Sequence, residues 1–287
     1  METIDAPLGC LDIPLPRCIR KLVEVPPTPD SLPSDNDVLD LIRKFGRKYD
    51  RSENEIRKAC DLAAGHSDLV VILERPARTH NYSLGFKEFV ANCRTLDALD
   101  KFIKFATNKT RSIETVSVFD ALSFKPYVND DRPSNDDCYS LLEEMLKTKK
   151  PRVVICCWSE RNAACSNDFV RQFKGGGVGR QLFRVNVDTE WGSPVAIRSF
   201  HPSTAVCYRK YNPEYQILLL HHFMAAFSDL DLSIATDREH KYNPALALNY
   251  LPTSPDPVRV ADAEVCHEIE EPPWLEQINT RCRSSIM

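Results

Sequence analysis

The feature that most constrains this chain is an alternation. Short runs rich in Val and Ile recur at residues 68–73, 114–119, 152–158, 182–187 and 194–200, with helical periodicity in the long stretches between the first three. Between the first two runs, Leu96, Leu99, Phe102, Ile103 and Ala106 repeat at the spacing that gathers them on one helix face. Between the second and third, Leu141, Leu142, Met145 and Leu146 do the same. Strand, helix and strand in that order join by a crossover, so the pattern predicts an α/β fold with a mainly parallel sheet covered by helices on both faces. A last helix is expected from Glu214 to Phe227.

The flanks read differently. Residues 1–35 contain Pro7, Pro14, Pro16, Pro26, Pro27, Pro29 and Pro33, which remove backbone donors and predict an extended lead-in. Residues 36–65 predict a helical extension. Val38, Leu39, Leu41 and Ile42 form an apolar stripe, and Ser52 with Glu55 forms a capping box for a helix ending near Gly65. Residues 66–230 form the α/β domain, and 231–287 a proline-containing acidic tail. The formal charge of −4 is unevenly spread: −2 over residues 1–65, +2 over 66–251 and −4 over 252–287. A generally basic nucleic-acid binder is excluded, and any polyanion is expected against the middle section.

Three of the strands end on polar side chains. Val70-Val71-Ile72-Leu73 runs into Glu74-Arg75-Pro76, Val116 to Phe119 runs into Asp120, and Pro194 to Phe200 delivers His201-Pro202-Ser203. In an open α/β sheet the carboxyl ends of parallel strands border one crevice, so Glu74, Asp120 and His201 are expected to share a site. No metal or cofactor is called for. The eleven cysteines include no Cys-x-x-Cys pair, and Cys156 and Cys157 lie in an apolar run where thiols pack as small hydrophobes. His221 and His222, adjacent on a helix, point apart. Without a signal-peptide pattern or a bilayer-length apolar stretch, a soluble monomer of the nucleus or cytoplasm is expected, with no membrane partner.

Taken in chain order, these segments resemble the motifs of the uracil-DNA glycosylase superfamily, in the branch whose first motif reads Gly-Glu-x-Pro-Gly. Leu73-Glu74-Arg75-Pro76-Ala77 occupies that motif with both flanking glycines replaced. Val116 to Pro126 resembles the second, with Asp120 where the family has asparagine. Lys150-Pro151-Arg152-Val153-Val154-Ile155 is similar to the lead into the family's third strand, and Asn162-Ala163-Ala164 to the start of the next helix. His201-Pro202-Ser203, followed by Asn212-Pro213, resembles the last motif. The resemblance spans residues 66–228.

It implies a three-layer α/β/α sandwich around a mainly parallel four-stranded sheet. It also implies an enzyme that extrudes a damaged base from DNA and hydrolyses its bond to the sugar. Glu74 and His201 are then the catalytic pair: the carboxylate stabilises the sugar cation or orients water, and the imidazole donates to the departing base. Pro76, Tyr82, Phe86, Asp120 and Ser203 fall to the base pocket, with Phe86 placed like the family's stacking aromatic and Tyr82 competing for that role. Arg171, Lys174, Arg180, Thr204, Val206, Arg209 and Lys210 fall to DNA contact. Thr204 to Arg209 matches the loop that enters the minor groove, and Val206 stands where a leucine wedge is usual.

Each residue also has a plainer reading. Glu74 suits a strand-end carboxylate paired with a neighbouring cation, His201 a structural turn residue, Asp120 a loop cap, and Phe86 a core position with Phe89 and Val90. Lys174-Gly175-Gly176-Gly177-Val178-Gly179-Arg180 suits a phosphate cradle or a mobile loop. Lys149-Lys150-Pro151-Arg152 suits an import patch or a solvated turn. Two functions follow: a metal-independent DNA base glycosylase of base excision repair, or an inactive glycosylase-fold protein acting as a nucleic-acid-binding or interaction module. A carbonyl hydrolase lacks its Gly-x-Ser-x-Gly elbow. The substitution that most affects specificity is Asp120, since an ionised aspartate only accepts hydrogen bonds whereas an amide both donates and accepts.

Overall fold

A computed structural model describes residues 2–3, 14–15, 33–107, 109–159, 165–175, 183–210 and 213–231. The chain divides into two compact units, residues 1–251 and 252–287, and every described residue belongs to the first. Two short strands, β1 (Glu2–Thr3) and β2 (Pro14–Leu15), pair antiparallel within the lead-in. Helices α1 (Pro33–Lys48) and α2 (Glu53–Ala63) follow, as the apolar stripe and capping box predict. Ser52 is the α2 N-cap, its Oγ accepting from the Glu55 amide at 3.2 Å and satisfying one of the free N–H groups of the first turn.

From there strand and helix alternate. The elements are β3 (His66–Leu73), α3 (Phe86–Asn92), α4 (Arg94–Ala106), β4 (Val116–Asp120), α5 (Asn135–Lys149), β5 (Val153–Cys156), α6 (Asp168–Arg171), β6 (Phe183–Asn186), β7 (Val195–Arg198) and α7 (Pro213–Asp231). The sheet order is β4-β3-β5-β7-β6. The first four strands are mutually parallel, whereas β6 runs antiparallel against β7. The sheet therefore has five strands, not the four that the resemblance implies. The extra strand arises because only the short Val187 to Pro194 segment joins β6 to β7, with a Thr189–Gly192 turn bridge inside it. So short a link folds the chain back on itself and cannot carry a crossover.

The core explains why the central strands read as near-continuous apolar runs. Leu69, Val71 and Leu73 of β3 join one buried cluster with Leu99, Phe102 and Ile103 of α4 and Leu219, Phe223 and Phe227 of α7. Val70 and Ile72 join a second with Val38 and Ile42 of α1, Ile56 of α2, and Leu142 and Met145 of α5. Alternate residues of one strand thus point to opposite faces, and both faces are covered. Cys156 and Cys157 divide between these clusters, and burial pushes the Cys157 thiol up to about 12.

Two buried cations tie the elements together. Arg111 grips Asp68, at the start of β3, through two contacts of 2.9 and 2.6 Å. Lys149 Nζ pairs with Asp35 at 2.7 Å and donates to the Ala63 and Gly65 carbonyl oxygens, locking α5 to α1 and to the turn before β3. In the segment Lys149 to Arg152, Lys150 and Arg152 are exposed, as a solvated turn requires, but Lys149 is not. Lys149 is buried, and Arg152 donates to the Leu230 carbonyl at 2.7 Å. Among the described residues no helix is long and apolar enough to cross a membrane.

Candidate functional site

The carboxyl edge of the sheet gathers the strand-end residues through backbone pairing alone. Leu73 and Asp120 are register partners, and the Ala121 and Leu122 amides donate to the Leu73 and Glu74 carbonyls at 2.8 and 2.9 Å, so the β3 and β4 ends advance side by side. Ile72, Cys156 and Arg198 stand in register across β3, β5 and β7. With strands about 4.8 Å apart, β3 and β7 are separated by about 10 Å, and Glu74 and His201 each lie just beyond that level.

Beside this edge a cavity of about 40 Å³ lies between α2, the loop after β3 and the end of β4. Pro76, Tyr82 and Asp120 line it together, as expected of pocket residues. Glu55, Lys58 and His80 also line it, and the sequence reading did not assign them there. The remaining wall is largely apolar, with Phe89, Phe119, Phe124 and Met145. Glu74, Phe86, His201 and Ser203 are not among the lining residues. Phe86 instead heads α3, packs against the first core cluster and borders a separate groove with Lys87 and Glu114. Of the two aromatic candidates, Tyr82 is the one in the cavity, its ring stacked 5.9 Å from Phe89.

The cavity wall perturbs its titratable groups. Burial pushes the Asp120 carboxyl up to about 7, opposed by the nearby Arg75 guanidinium. Asp120 makes no side-chain hydrogen bond or ion pair with the other described residues; only its carbonyl is engaged, by Ser123 Oγ at 2.9 Å. Burial lowers His80 to about 4, so its imidazole is neutral at physiological pH. Its Nε2 lies 3.4 Å from Cys93 Sγ, while its buried Nδ1 meets no partner. Glu55 is raised by burial, against the pull of Arg51 and with a smaller push from Asp130. Tyr82 is pushed well up, first by burial and then by Glu55 and Asp120. Lys58 is directed to Asp61 at 3.4 Å and lies over the Phe89 ring.

Glu74 and His201, the pair expected to be catalytic, follow β3 and β7 at the carboxyl edge of the sheet and do not line this cavity. Glu74 is about one-fifth exposed and pairs with Arg75 at 3.4 Å. His201 sits on the turn after β7, where the Ser203 amide donates to its Nδ1 at 3.3 Å and Ser203 Oγ lies 2.7 Å away. In the neutral ring an Nδ1 that accepts leaves the proton on Nε2, which is then a donor. From below, His222 of α7 holds the same turn, its Nδ1 lying 2.7 Å from Ser199 Oγ and its ring meeting Phe200 edge-on. His221 and His222 are both buried, and burial lowers them to about 4 and about 3.

The residues expected to meet DNA are scattered in character. Thr204–Tyr208 forms one π-helical turn in which Thr204 is buried and Val206 half-buried against the first core cluster. Arg209 lies over the Tyr215 ring at 5.8 Å, and Lys210 is exposed. Arg171 is exposed yet pairs with Asp168 at 2.8 Å and donates to the Cys165 carbonyl. Lys174 precedes Gly175, whose amide donates to the Trp158 carbonyl at 2.8 Å beside the β5 end. Arg180, Asn162 and Asn212 lie outside the described residues.

The missed residues differ in how visible they were. His80 lies in the loop that follows β3 at the carboxyl edge, where side chains bearing function collect, so its position was a usable signal. Glu55 and Lys58 gave none, because only the packing of α2 over β4 brings them to Asp120. Among the described residues no group of three or more His, Cys, Asp or Glu is placed to hold a metal ion. No protein-family model matches the chain, and no curated protein matches it in sequence.

Proposed function

We propose that this protein is a DNA base glycosylase that hydrolyses the N-glycosidic bond of uracil or a related damaged base, acting as a monomer in base excision repair in the nucleus or cytoplasm. One observation carries the reading: the order β4-β3-β5-β7 aligns the ends of three parallel strands that terminate in Asp120, Glu74 and the His201 turn. Beside Asp120 lies a small recess that Pro76 and Tyr82 also line. Helices packed on both sheet faces suit the three-layer α/β/α sandwich of the uracil-DNA glycosylase superfamily, with β6 added outside β7.

The chemistry divides between Glu74 and His201. As the bond between C1′ and the base nitrogen breaks, its electron pair leaves with the base and positive charge grows on the sugar. The Glu74 carboxylate opposes that charge and aligns the water that adds to C1′, while the Nε2–H of His201 donates to the developing base anion. Basic residues of the middle section, Arg209 and Lys210 first, neutralise backbone phosphates. The Glu74–Arg75 pair favours the second reading, a non-catalytic nucleic-acid-binding or interaction module, since it already commits the carboxylate to a partner.

The two readings separate in a product assay on oligonucleotides carrying uracil, hypoxanthine, xanthine or mismatched thymine. The enzyme leaves abasic sites that cleave in alkali. DNA binding with no abasic product on any substrate leaves the binding module.

A further inference from the structure

Of the described cysteines, Cys60, Cys138, Cys156, Cys157 and Cys165 are buried, whereas Cys93 and Cys207 are partly exposed. Cys93 stands at the junction of α3 and α4 as the N-cap of the 13-residue α4, and its Sγ lies 3.4 Å from Nε2 of His80 on the loop after β3. We propose that Cys93 is a reactive thiol, its thiolate held by His80, that exchanges with small disulfides of the glutathione class to form a mixed disulfide. This site needs neither DNA nor the Glu74 and His201 pair.

A thiol attacks as its thiolate, so reactivity follows whatever stabilises negative charge on sulfur. Two features do so here. The first is His80, whose ring meets Tyr82 and Phe89 edge-on and is fixed by them. Burial keeps it neutral, with one ring proton to place, and its buried Nδ1 meets no partner. A proton on Nδ1 would be an orphaned donor, so it belongs on Nε2, where it is directed to Sγ. Donation to a charged acceptor is the stronger hydrogen bond, which favours thiolate over thiol. The second feature is the positive end of α4, which Cys93 enters with extended backbone at φ −107° and ψ 107°. The neighbouring charges leave this balance in place. Asp97, in the first turn of α4, is paired with Lys101 at 2.7 Å, Tyr82 is un-ionised, and Lys87, Glu88 and Arg94 are exposed. Burial gives other thiols the opposite setting, raising Cys60 to about 11 and Cys138 to about 12. The exchange balances without another reactant. Sγ attacks one sulfur of the disulfide, the S–S bond breaks, and the departing thiolate takes up the proton that Cys93 released.

The test follows alkylation of the full chain by iodoacetamide from about pH 5.5 to about pH 9.5, with the Cys93 peptide read by mass spectrometry. The Cys93 rate is expected to rise with a midpoint below about pH 8, against about 8.5 for an ordinary thiol. His80→Phe keeps a ring against Tyr82 and Phe89 but removes the donor. It is expected to move the midpoint up by about one pH unit. At about pH 7 it should slow Cys93 alkylation about threefold, because the loss of thiolate is partly offset by a more nucleophilic sulfur. Incubation with glutathione disulfide at about pH 7.5 is expected to add one glutathionyl group to the Cys93 peptide, removed again by dithiothreitol. A wild-type midpoint at about pH 8 or above, a midpoint that His80→Phe leaves in place, or no glutathionyl group on that peptide overturns the inference. The wild-type profile and the mixed disulfide decide by themselves if the variant fails to fold. Neither readout depends on base release, so this inference and the glycosylase reading fail separately.

Discussion

Replacing Asp120 by Asn should stabilise the protein, and by an amount that depends on pH. The folded carboxyl titrates near 7 because burial penalises its charge, whereas the unfolded chain returns it to 3.8. The folded state therefore holds its proton more tightly than the unfolded state. Stability from this group is fully present below about pH 3.8 and is lost as pH rises towards 7, beyond which the loss stops. At about 1.4 kcal/mol per pH unit, the interval is worth about 4 kcal/mol as an upper bound. Asparagine keeps the shape and never ionises, so the variant escapes this loss. Between pH 4 and pH 8 the gap in unfolding free energy between Asp120→Asn and wild type should widen by a few kcal/mol. That corresponds to a relative gain in Tm of roughly 10 °C for a domain of this size. Scanning calorimetry of both proteins across that range measures it, and other titrating groups cancel in the difference. A constant Tm difference from pH 4 to pH 8 would refute the argument that burial holds Asp120 neutral.

Three further outcomes are expected. Glu74→Gln removes the charge opposing the sugar cation and His201→Asn removes the imidazole donor; each should lower base excision about 100-fold or more in single-turnover assays, with circular dichroism and DNA affinity unchanged. The double variant Arg209→Glu, Lys210→Glu should weaken DNA binding and flatten its dependence on salt in fluorescence anisotropy titrations, and an unchanged salt slope removes both residues from the interface. Gly175→Ala should destabilise the fold by about 3 kcal/mol or more in urea denaturation, because a Cβ there would meet the Ser199, Trp158 and Cys156 carbonyl oxygens at 2.5, 2.6 and 2.7 Å. A stability change below about 0.5 kcal/mol would place that segment away from the sheet edge.

The local chemistry of this chain was legible in its sequence. The N-cap at Ser52, the face of α4 from Leu96 to Ala106, and the strands opening into Glu74 and closing on Asp120 all follow from short-range rules of periodicity and hydrogen bonding. So did the packing of Cys156 and Cys157 as apolar residues. What required the tertiary structure was pairing over distance. Nothing within residues 182–187 sets their direction, and β6 is antiparallel only because the chain returns through a short turn to the free edge of β7. Lys149 reads as a surface cation until Asp35 and two carbonyl oxygens enclose it. The cavity is the clearest case. Asp120 and Pro76 reach it by strand register, which alternation encodes, but Glu55 and Lys58 reach it because α2 crosses β4, and helix packing depends on side-chain shapes contributed by both elements. The raised pKa of Asp120 has the same origin: sequence supplies the carboxyl, and only the tertiary structure sets the burial that shifts it.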